Sequence, residues 1–175
     1  MDVMPEKAAS VAETDMIGAV GQPVAAEPAA SASASSAAMS VVLALSLCHF
    51  LNDTMQSMLS AIYPMLKENY ALTFGQIGLL TFTFQVTASL LQPAIGAYTD
   101  KRPLGYSLPV GMSFTFVGLL LLAFSGHYGL LLFAAGMVGI GSAVFHPESS
   151  RIARLASGGR HGTAQSIFQL GGNFG

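Results

Sequence analysis

Three long stretches of this chain contain no aspartate, glutamate, lysine or arginine: residues 28–52, 69–99 and 103–147, which are 25, 31 and 45 residues long. A water-soluble fold of this size exposes charge on most of its elements, and typical globular chains are about 25% charged. Here 9% of the residues are charged and 52% are hydrophobic. The pattern excludes an ordinary soluble enzyme and favours a chain that folds within a lipid bilayer.

The rest of the composition excludes two further classes of protein. The net charge is −2, and no basic patch is large enough to follow a phosphate backbone, so we expect no nucleic-acid partner. Cys48 is the only cysteine, which excludes an internal disulfide framework. We expect no cofactor.

Apolar segments long enough to cross a bilayer recur from residue 39 onwards. A hydrocarbon core of about 30 Å needs ~20 helical residues. The predicted spans cover residues 39–66, 74–98, 104–125 and 128–150, and a fifth begins near residue 162 and is cut off at residue 175. We therefore expect an all-α integral membrane protein, and we interpret the sequence as the front part of a longer one.

Residues 1–38 differ in composition from the spans. They are rich in alanine and serine and contain few large apolar side chains, with prolines at 23 and 28. Such a segment cannot bury enough surface to offset its conformational entropy, so we predict a disordered tail. A signal peptide is disfavoured because no basic region directly precedes the first apolar segment, which is also too long.

The orientation in the membrane follows from the basic residues near the span ends. One set of loops carries five of them, at positions 101, 102, 151, 154 and 160, whereas the opposite side carries only Lys67. We therefore predict that these loops and the N-terminus face the cytoplasm, in a multi-pass protein of the cell membrane.

Polar residues inside the first span lie on one helix face. His49, Asn52, Asp53 and Gln56 are spaced i, i+3, i+4 and i+7. An ionisable side chain in hydrocarbon costs at least ~2.5–3.5 kcal/mol on insertion scales. Asp53 is therefore a candidate proton-coupling or substrate-binding group. His49 is either its partner or a packing histidine.

Two further segments carry similar polar stripes. Gln85 and Gln92 lie on the second span, and Gln165, Gln169 and Asn173 lie on the fifth. Three such helices suit a water-accessible cavity, and we predict that these residues line it. The alternative is that each amide only hydrogen-bonds to a neighbouring helix.

Small residues repeat every four positions on two segments, at Ala135, Gly139 and Ala143, and at Gly171 and Gly175. Faces of this kind let membrane helices approach closely. The pattern predicts tight helix packing and carries no information about a substrate.

The segment from residue 145 to residue 151 contains a histidine and two charged residues. His146, Glu148 and His161 do not have the spacing of a metal site, so none is predicted. We favour an ion pair between Glu148 and Arg151 at the cytoplasmic end of the fourth span. Alternatively, Glu148 pairs with the loop at residues 101–102 and forms a gate contact.

A short motif follows the second span. Gly96, Asp100 and Lys101 have the spacing Gly-x-x-x-Asp-Lys, and the segment resembles the cytoplasmic loop signature of the major facilitator superfamily. The later glycine of that signature stands two places late here, as Gly105. The segment from residue 160 to residue 175 also resembles the start of helix 5 in that family.

This resemblance implies a transporter of two six-helix halves with its substrate bound between them. The chain would supply helices 1–4 and the start of helix 5. It further implies proton-driven export of a small-molecule drug, with an anionic phosphonate as one candidate, by a monomer in the lipid bilayer. Asp100 and Lys101, with Gly96, Glu148 and Arg151, would then act in gating.

Other functions stay open on the residues alone. A non-transporting or inactive membrane scaffold would not need Asp53 at mid-depth. An intramembrane enzyme would need a catalytic or metal constellation at one depth, and a channel could not concentrate its substrate against a gradient.

Overall fold

The computed structural model describes residues 29–175, with the side chains of residue 36 and residues 38–175. This part of the chain contains no strand and folds into six α-helices. They are α1 (Ala29–Ala61), α2 (Tyr63–Asn69), α3 (Phe74–Lys101), α4 (Ser107–Ala123), α5 (Tyr128–Leu155) and α6 (His161–Phe174).

Helix α1 begins earlier than the sequence predicts. The predicted tail covered residues 1–38, but residues 29–38 are helical. Alanine is the best helix former and serine is tolerated, so this Ala/Ser-rich segment extends the helix that the apolar residues begin. Residues 1–28 of the predicted tail lie outside the described part of the chain.

The first predicted span is interrupted near its end. The helix breaks at Ile62, and Pro64 lies in the first turn of α2, where proline is tolerated. The hydroxyl of Tyr70 then donates to the carbonyl oxygen of Ser125 (2.5 Å), which ties the end of α2 to the turn after α4. Helix α3 begins with a capping box between Thr73 and Gln76.

Helix α5 lies at the centre of the bundle and packs mainly against α3 and α4. Ala135, Gly139 and Ala143 are all buried, which confirms the predicted packing face. A methyl group at Gly139 would overlap the hydroxyl of Thr87 on α3 and lie 2.6 Å from the Phe84 carbonyl oxygen. Small residues therefore set the distance between these helices.

Helix α6 packs against α1 through glycines. A methyl group at Gly171 would overlap the carbonyl of Ser46, and one at Gly175 would overlap the carbonyl of Phe50. The Ser46 hydroxyl also donates to the Ile167 carbonyl oxygen (2.7 Å). This close approach confirms the predicted small-residue face and brings α6 against the polar stripe of α1.

Among the described residues, three segments are long and apolar enough to span a bilayer: Ala38–Asn69, Phe74–Lys101 and Tyr128–Leu155. The predicted third span is shorter than expected, because α4 comprises 17 residues and begins only after Pro103 and Gly105. At 1.5 Å per residue α4 is about 25 Å long. Large apolar side chains, such as Leu90 and Phe116, are exposed on the outside of the bundle, as expected where lipid is the solvent.

Candidate functional site

The site is built on the polar face of α1. Asp53 lies at the middle of the span Ala38–Asn69, and its side chain is 25% exposed. His49 is one turn away on the same face, so the helical spacing alone brings the two side chains together, which is the first of the two alternatives given for His49. The Nε2 atom of His49 lies 3.2 Å from Oδ2 of Asp53.

The ring of His49 is held from a second helix. Its Nδ1 atom lies 2.9 Å from the carbonyl oxygen of Phe168 on α6, and the ring stacks on the Phe168 ring with a centroid distance of 4.2 Å and an angle of 15°. A carbonyl oxygen only accepts, so Nδ1 must carry the hydrogen. Nε2 of a neutral ring then presents a lone pair to the carboxylate.

His146 of α5 completes the cluster from the other side. Its Nε2 atom lies 3.6 Å from Oδ1 of Asp53, and its ring meets that of His49 edge-on at 5.1 Å. Helical spacing does not pair His146 with Asp53, because the two residues lie on different helices. The available signal was a second histidine within an apolar span, directly before Pro147 in a membrane helix.

Two amides on α1 orient the carboxylate. Asn52 donates to Oδ1 of Asp53 at 3.1 Å and Gln56 donates to the same oxygen at 3.4 Å. Asn52 is fully buried, and its own Oδ1 atom has no hydrogen-bond partner among the described residues. The Asn52 oxygen is therefore an unsatisfied acceptor beside the carboxylate.

The other predicted cavity residues do not reach Asp53. Gln165 donates to the hydroxyl of Ser150 (2.5 Å) and so joins α6 to α5, as the alternative interpretation predicts. Gln85, Gln169 and Asn173 are exposed and Gln92 is half-buried. The spacing of these residues predicts which helix face each one occupies. It does not predict whether that face is directed towards α1.

A second polar cluster lies about half a turn further along α5, two residues after His146. Glu148 is fully buried, and Arg151 binds both of its oxygens, with Nε at 3.1 Å from Oε2. The ion pair that we favoured from the sequence is therefore present. Thr99 on α3 and Ser107 on α4 lie near the carboxylate, while their hydroxyls donate to the carbonyls of Gly96 and Leu104. Side chains from three helices therefore meet at this cluster.

One residue of the predicted loop signature, Asp100, lies near this ion pair. The charge of Asp100 acts on the Arg151 guanidinium, whereas Lys101 is exposed to solvent. Gly96 lies where a methyl group would come within 3.5 Å of Pro147, which is ordinary contact with α5. Asp100 and Arg151 are thus positioned to interact at the end of the bundle.

The structure separates the three residues that we considered, and disfavoured, as a metal set. Glu148 is bound by Arg151, His161 lies against the hydroxyl of Ser157 (2.7 Å), and His146 faces Asp53. A different group of ligand-type side chains comes together instead: His49, Asp53 and His146, whose ligand atoms all lie within 4.8 Å of one another. The expectation of no metal site took no account of this set.

A helical bundle with membrane-length segments and an acid at mid-span defines a polytopic membrane protein. The family model of the major facilitator superfamily matches residues 45–175. The chain therefore belongs to this superfamily, and the fold class predicted from the sequence is confirmed.

Two relatives show which members of the family the chain is similar to. It is 58% identical over 154 residues to the fosmidomycin resistance protein of Escherichia coli (strain K12), an alignment that covers 88% of this chain and 38% of that protein. It is 44% identical over 135 residues to YfnC of Bacillus subtilis (strain 168), an uncharacterized transporter of the same superfamily, covering 77% and 33% respectively. The chain matches only about a third of the length of these relatives.

Proposed function

We propose that this chain belongs to a secondary transporter that exports a small-molecule drug by alternating access, driven by proton entry. The observation that carries the proposal is the cluster of Asp53, His49 and His146 at the middle of a membrane span. Ionisable groups at this depth are costly, and in transporters they mark substrate and proton pathways. The similarity to the fosmidomycin resistance protein supports drug export.

The hydrogen-bond roles in the cluster support the proposed proton coupling. The Nδ1–H group of His49 is committed to the Phe168 carbonyl oxygen, so an unprotonated pair would place the Nε2 lone pair against the Asp53 carboxylate at 3.2 Å. A proton between the two atoms removes this repulsion. In our proposal the protonated cluster tolerates a closed, dry state, whereas loss of the proton favours an open, hydrated one.

The Glu148–Arg151 pair is our candidate for the gate. Thr99 of α3 and Ser107 of α4 lie beside its carboxylate, and Asp100 acts on the same guanidinium. A network of charges at the end of a bundle can have two arrangements, and exchange of partners between them is one way in which transporters switch states. We propose that Asp100 takes part in this exchange at the cytoplasmic side.

An anionic phosphonate is our candidate substrate, because fosmidomycin, which the name of the Escherichia coli relative specifies, is a drug of this class. Such a drug needs a cationic contact. Arg151 is already neutralised by Glu148, which leaves protonated His49 or His146 in the described part of the chain near mid-span. The remaining predictions belong to the same proposal: a monomer in the cell membrane, with its N-terminus in the cytoplasm.

The test measures transport by the complete protein in inverted membrane vesicles. Fosmidomycin accumulation is followed with and without an imposed proton gradient for wild type, Asp53→Asn and the control Glu68→Gln, which changes an exposed acid at the end of α2. We expect gradient-driven accumulation in wild type and the control and its loss in Asp53→Asn at equal protein levels. Full accumulation by Asp53→Asn would remove Asp53 from the mechanism.

The same assay discriminates the alternatives. A membrane scaffold shows no accumulation in any variant, and a channel equilibrates the drug without concentrating it. Either result with well-inserted wild-type protein would overturn the transporter proposal.

A further inference from the structure

We propose that His49, Asp53 and His146 form a binding site for a divalent transition-metal ion such as Zn²⁺. The ligands would be the Nε2 atoms of the two histidines and a carboxylate oxygen of Asp53. Water or a ligand from solution would complete the coordination, since both Asp53 and His146 keep about a quarter of their side chains exposed while His49 is 5% exposed.

The spacing of the three side chains suits such an ion. Zinc binds histidine nitrogen and carboxylate oxygen at about 2.0–2.2 Å, which in a tetrahedral site places neighbouring ligand atoms roughly 3.3–3.6 Å apart. The observed separations are 3.2 Å between His49 Nε2 and Asp53 Oδ2, and 3.6 Å between His146 Nε2 and Asp53 Oδ1. Each imidazole thus approaches a different carboxylate oxygen, and binding of one ion through a single oxygen requires a side chain to rotate. All ligand atoms lie within 4.8 Å of one another, so modest side-chain rotations bring them around one ion.

The surroundings orient these ligands as outer-shell groups do in known metal sites. Histidine ligands usually donate their second N–H to a carbonyl or carboxylate, which fixes the ring and the tautomer. His49 does this with the Phe168 carbonyl at 2.9 Å, and its ring is further held by stacking on Phe168. The carboxylate of Asp53 is held by Asn52 and Gln56.

The chemistry of the set favours a transition metal over Mg²⁺ or Ca²⁺. Two imidazoles and one carboxylate suit Zn²⁺, Co²⁺, Ni²⁺ or Cu²⁺, whereas the hard cations need mostly oxygen ligands. In the described part of the chain, no lysine or arginine contributes to the charge interactions of the three side chains. The unpartnered Oδ1 atom of buried Asn52 adds one more acceptor next to Asp53.

The experiment is metal binding to the complete protein, purified in detergent with a tag that contains no histidine and stripped with a chelator. Co²⁺ is added and its visible absorption recorded, and Zn²⁺ is then used to displace it. We expect one saturable Co²⁺ site with the strong absorption of a low-coordinate ion, which Zn²⁺ abolishes. Absence of a saturable signal in the wild-type protein overturns the proposal.

Variants assign the site to these residues. His146→Gln removes a partly exposed ligand and should weaken binding by at least about tenfold, whereas His161→Gln, on an exposed side chain against Ser157, should bind like wild type. His146→Asn serves as a second variant if the glutamine protein elutes as an aggregate. Unchanged binding by a folded His146 variant, or equal loss in His161→Gln, contradicts the assignment.

Binding in detergent needs no gradient and no transport. The metal-site proposal and the export proposal are therefore tested independently. A protein that binds Co²⁺ at these residues but does not export fosmidomycin would refute only the export proposal.

Discussion

The Nε2 atom of His146 on α5 lies 3.6 Å from Oδ1 of Asp53 on α1, while His49 occupies the other carboxylate oxygen at 3.2 Å. One carboxylate is thus shared by two imidazoles from two helices. The buried partner is fixed by Phe168, and the exposed one sits where α5 meets α1. A cation bound to Asp53 would therefore interact with a side chain of α5, the central helix of the bundle, as well as with side chains of α1.

The buried ion pair on α5 should be important for stability. Removing one partner of a buried pair leaves the other uncompensated and typically costs about 3–5 kcal/mol. Because Glu148 is fully buried and bound by Arg151, Glu148→Gln should lower the thermal unfolding midpoint in detergent, whereas Glu68→Gln, at an exposed acid, should not.

A double variant separates the charge from the shape of the side chain. Arg151→Gln combined with Glu148→Gln leaves no unpaired charge, so it should recover part of the lost stability. If both single variants unfold at the wild-type temperature, the pair is not a stabilising contact of the folded protein.

The glycine on α5 that faces α3 should not tolerate a larger residue. A methyl group at Gly139 overlaps Thr87 and the backbone of α3, whereas one at Gly136, one turn away on the same helix, meets Thr83 at an ordinary 3.7 Å. Gly139→Ala should cost about 1–3 kcal/mol through overpacking, and Gly136→Ala should be close to neutral. Unfolding midpoints of the two variants give the comparison, and equal midpoints would contradict the packing of α3 on α5.

The sequence predicts much of this fold because the membrane imposes it. In lipid, every backbone N–H and C=O group must be hydrogen-bonded within the chain, so each span is a helix long enough to cross the bilayer. The length of each apolar segment and the turn residues beside it therefore locate α3, α5 and α6 within a few residues. Small residues at spacing four also predict which faces of α5 and α6 pack. The sequence does not predict that α1 extends back to Ala29. A segment rich in alanine and serine is typical of disorder by its composition, but the same residues can also lengthen a helix that the adjacent apolar residues form.

The candidate site was predictable only where one helix builds it. The i, i+4 rule pairs His49 with Asp53 without tertiary information, and i, i+3 spacing does the same for Glu148 and Arg151. The contact of His146 with Asp53 depends on the relative position of α5 and α1 along their axes. Sequence periodicity gives the face of each helix but not this relative position. For the same reason, the sequence predicts which face of α3 or α6 carries each amide side chain, but it does not predict which residue of another helix that side chain contacts.

The glycine beneath the His49 ring should control the geometry of the cluster. A methyl group at Gly172 would overlap the imidazole, at 2.6 Å from its Nε2 atom. Gly172→Ala should therefore displace the ring from Asp53 and reduce gradient-driven drug accumulation at unchanged protein levels. Gly162→Ala is the matched control on the same helix, since no atom lies within 4 Å of its added methyl group; equal activity of both variants would show that the position of the His49 ring does not limit transport.

The predicted orientation can be read from two turns that have room for a reporter. Gly105, between α3 and α4, and Gly126, between α4 and α5, have no atom within 4 Å of an added side-chain carbon. In the complete protein with its cysteines replaced, Cys48 included, the variants Gly105→Cys and Gly126→Cys are treated with a membrane-impermeant maleimide. Because basic residues cluster on the side of Gly105, Gly126→Cys should label in intact cells and Gly105→Cys only in inverted vesicles. The reverse pattern would place the N-terminus outside the cytoplasm and move the proposed Glu148–Arg151 gate to the opposite face of the membrane.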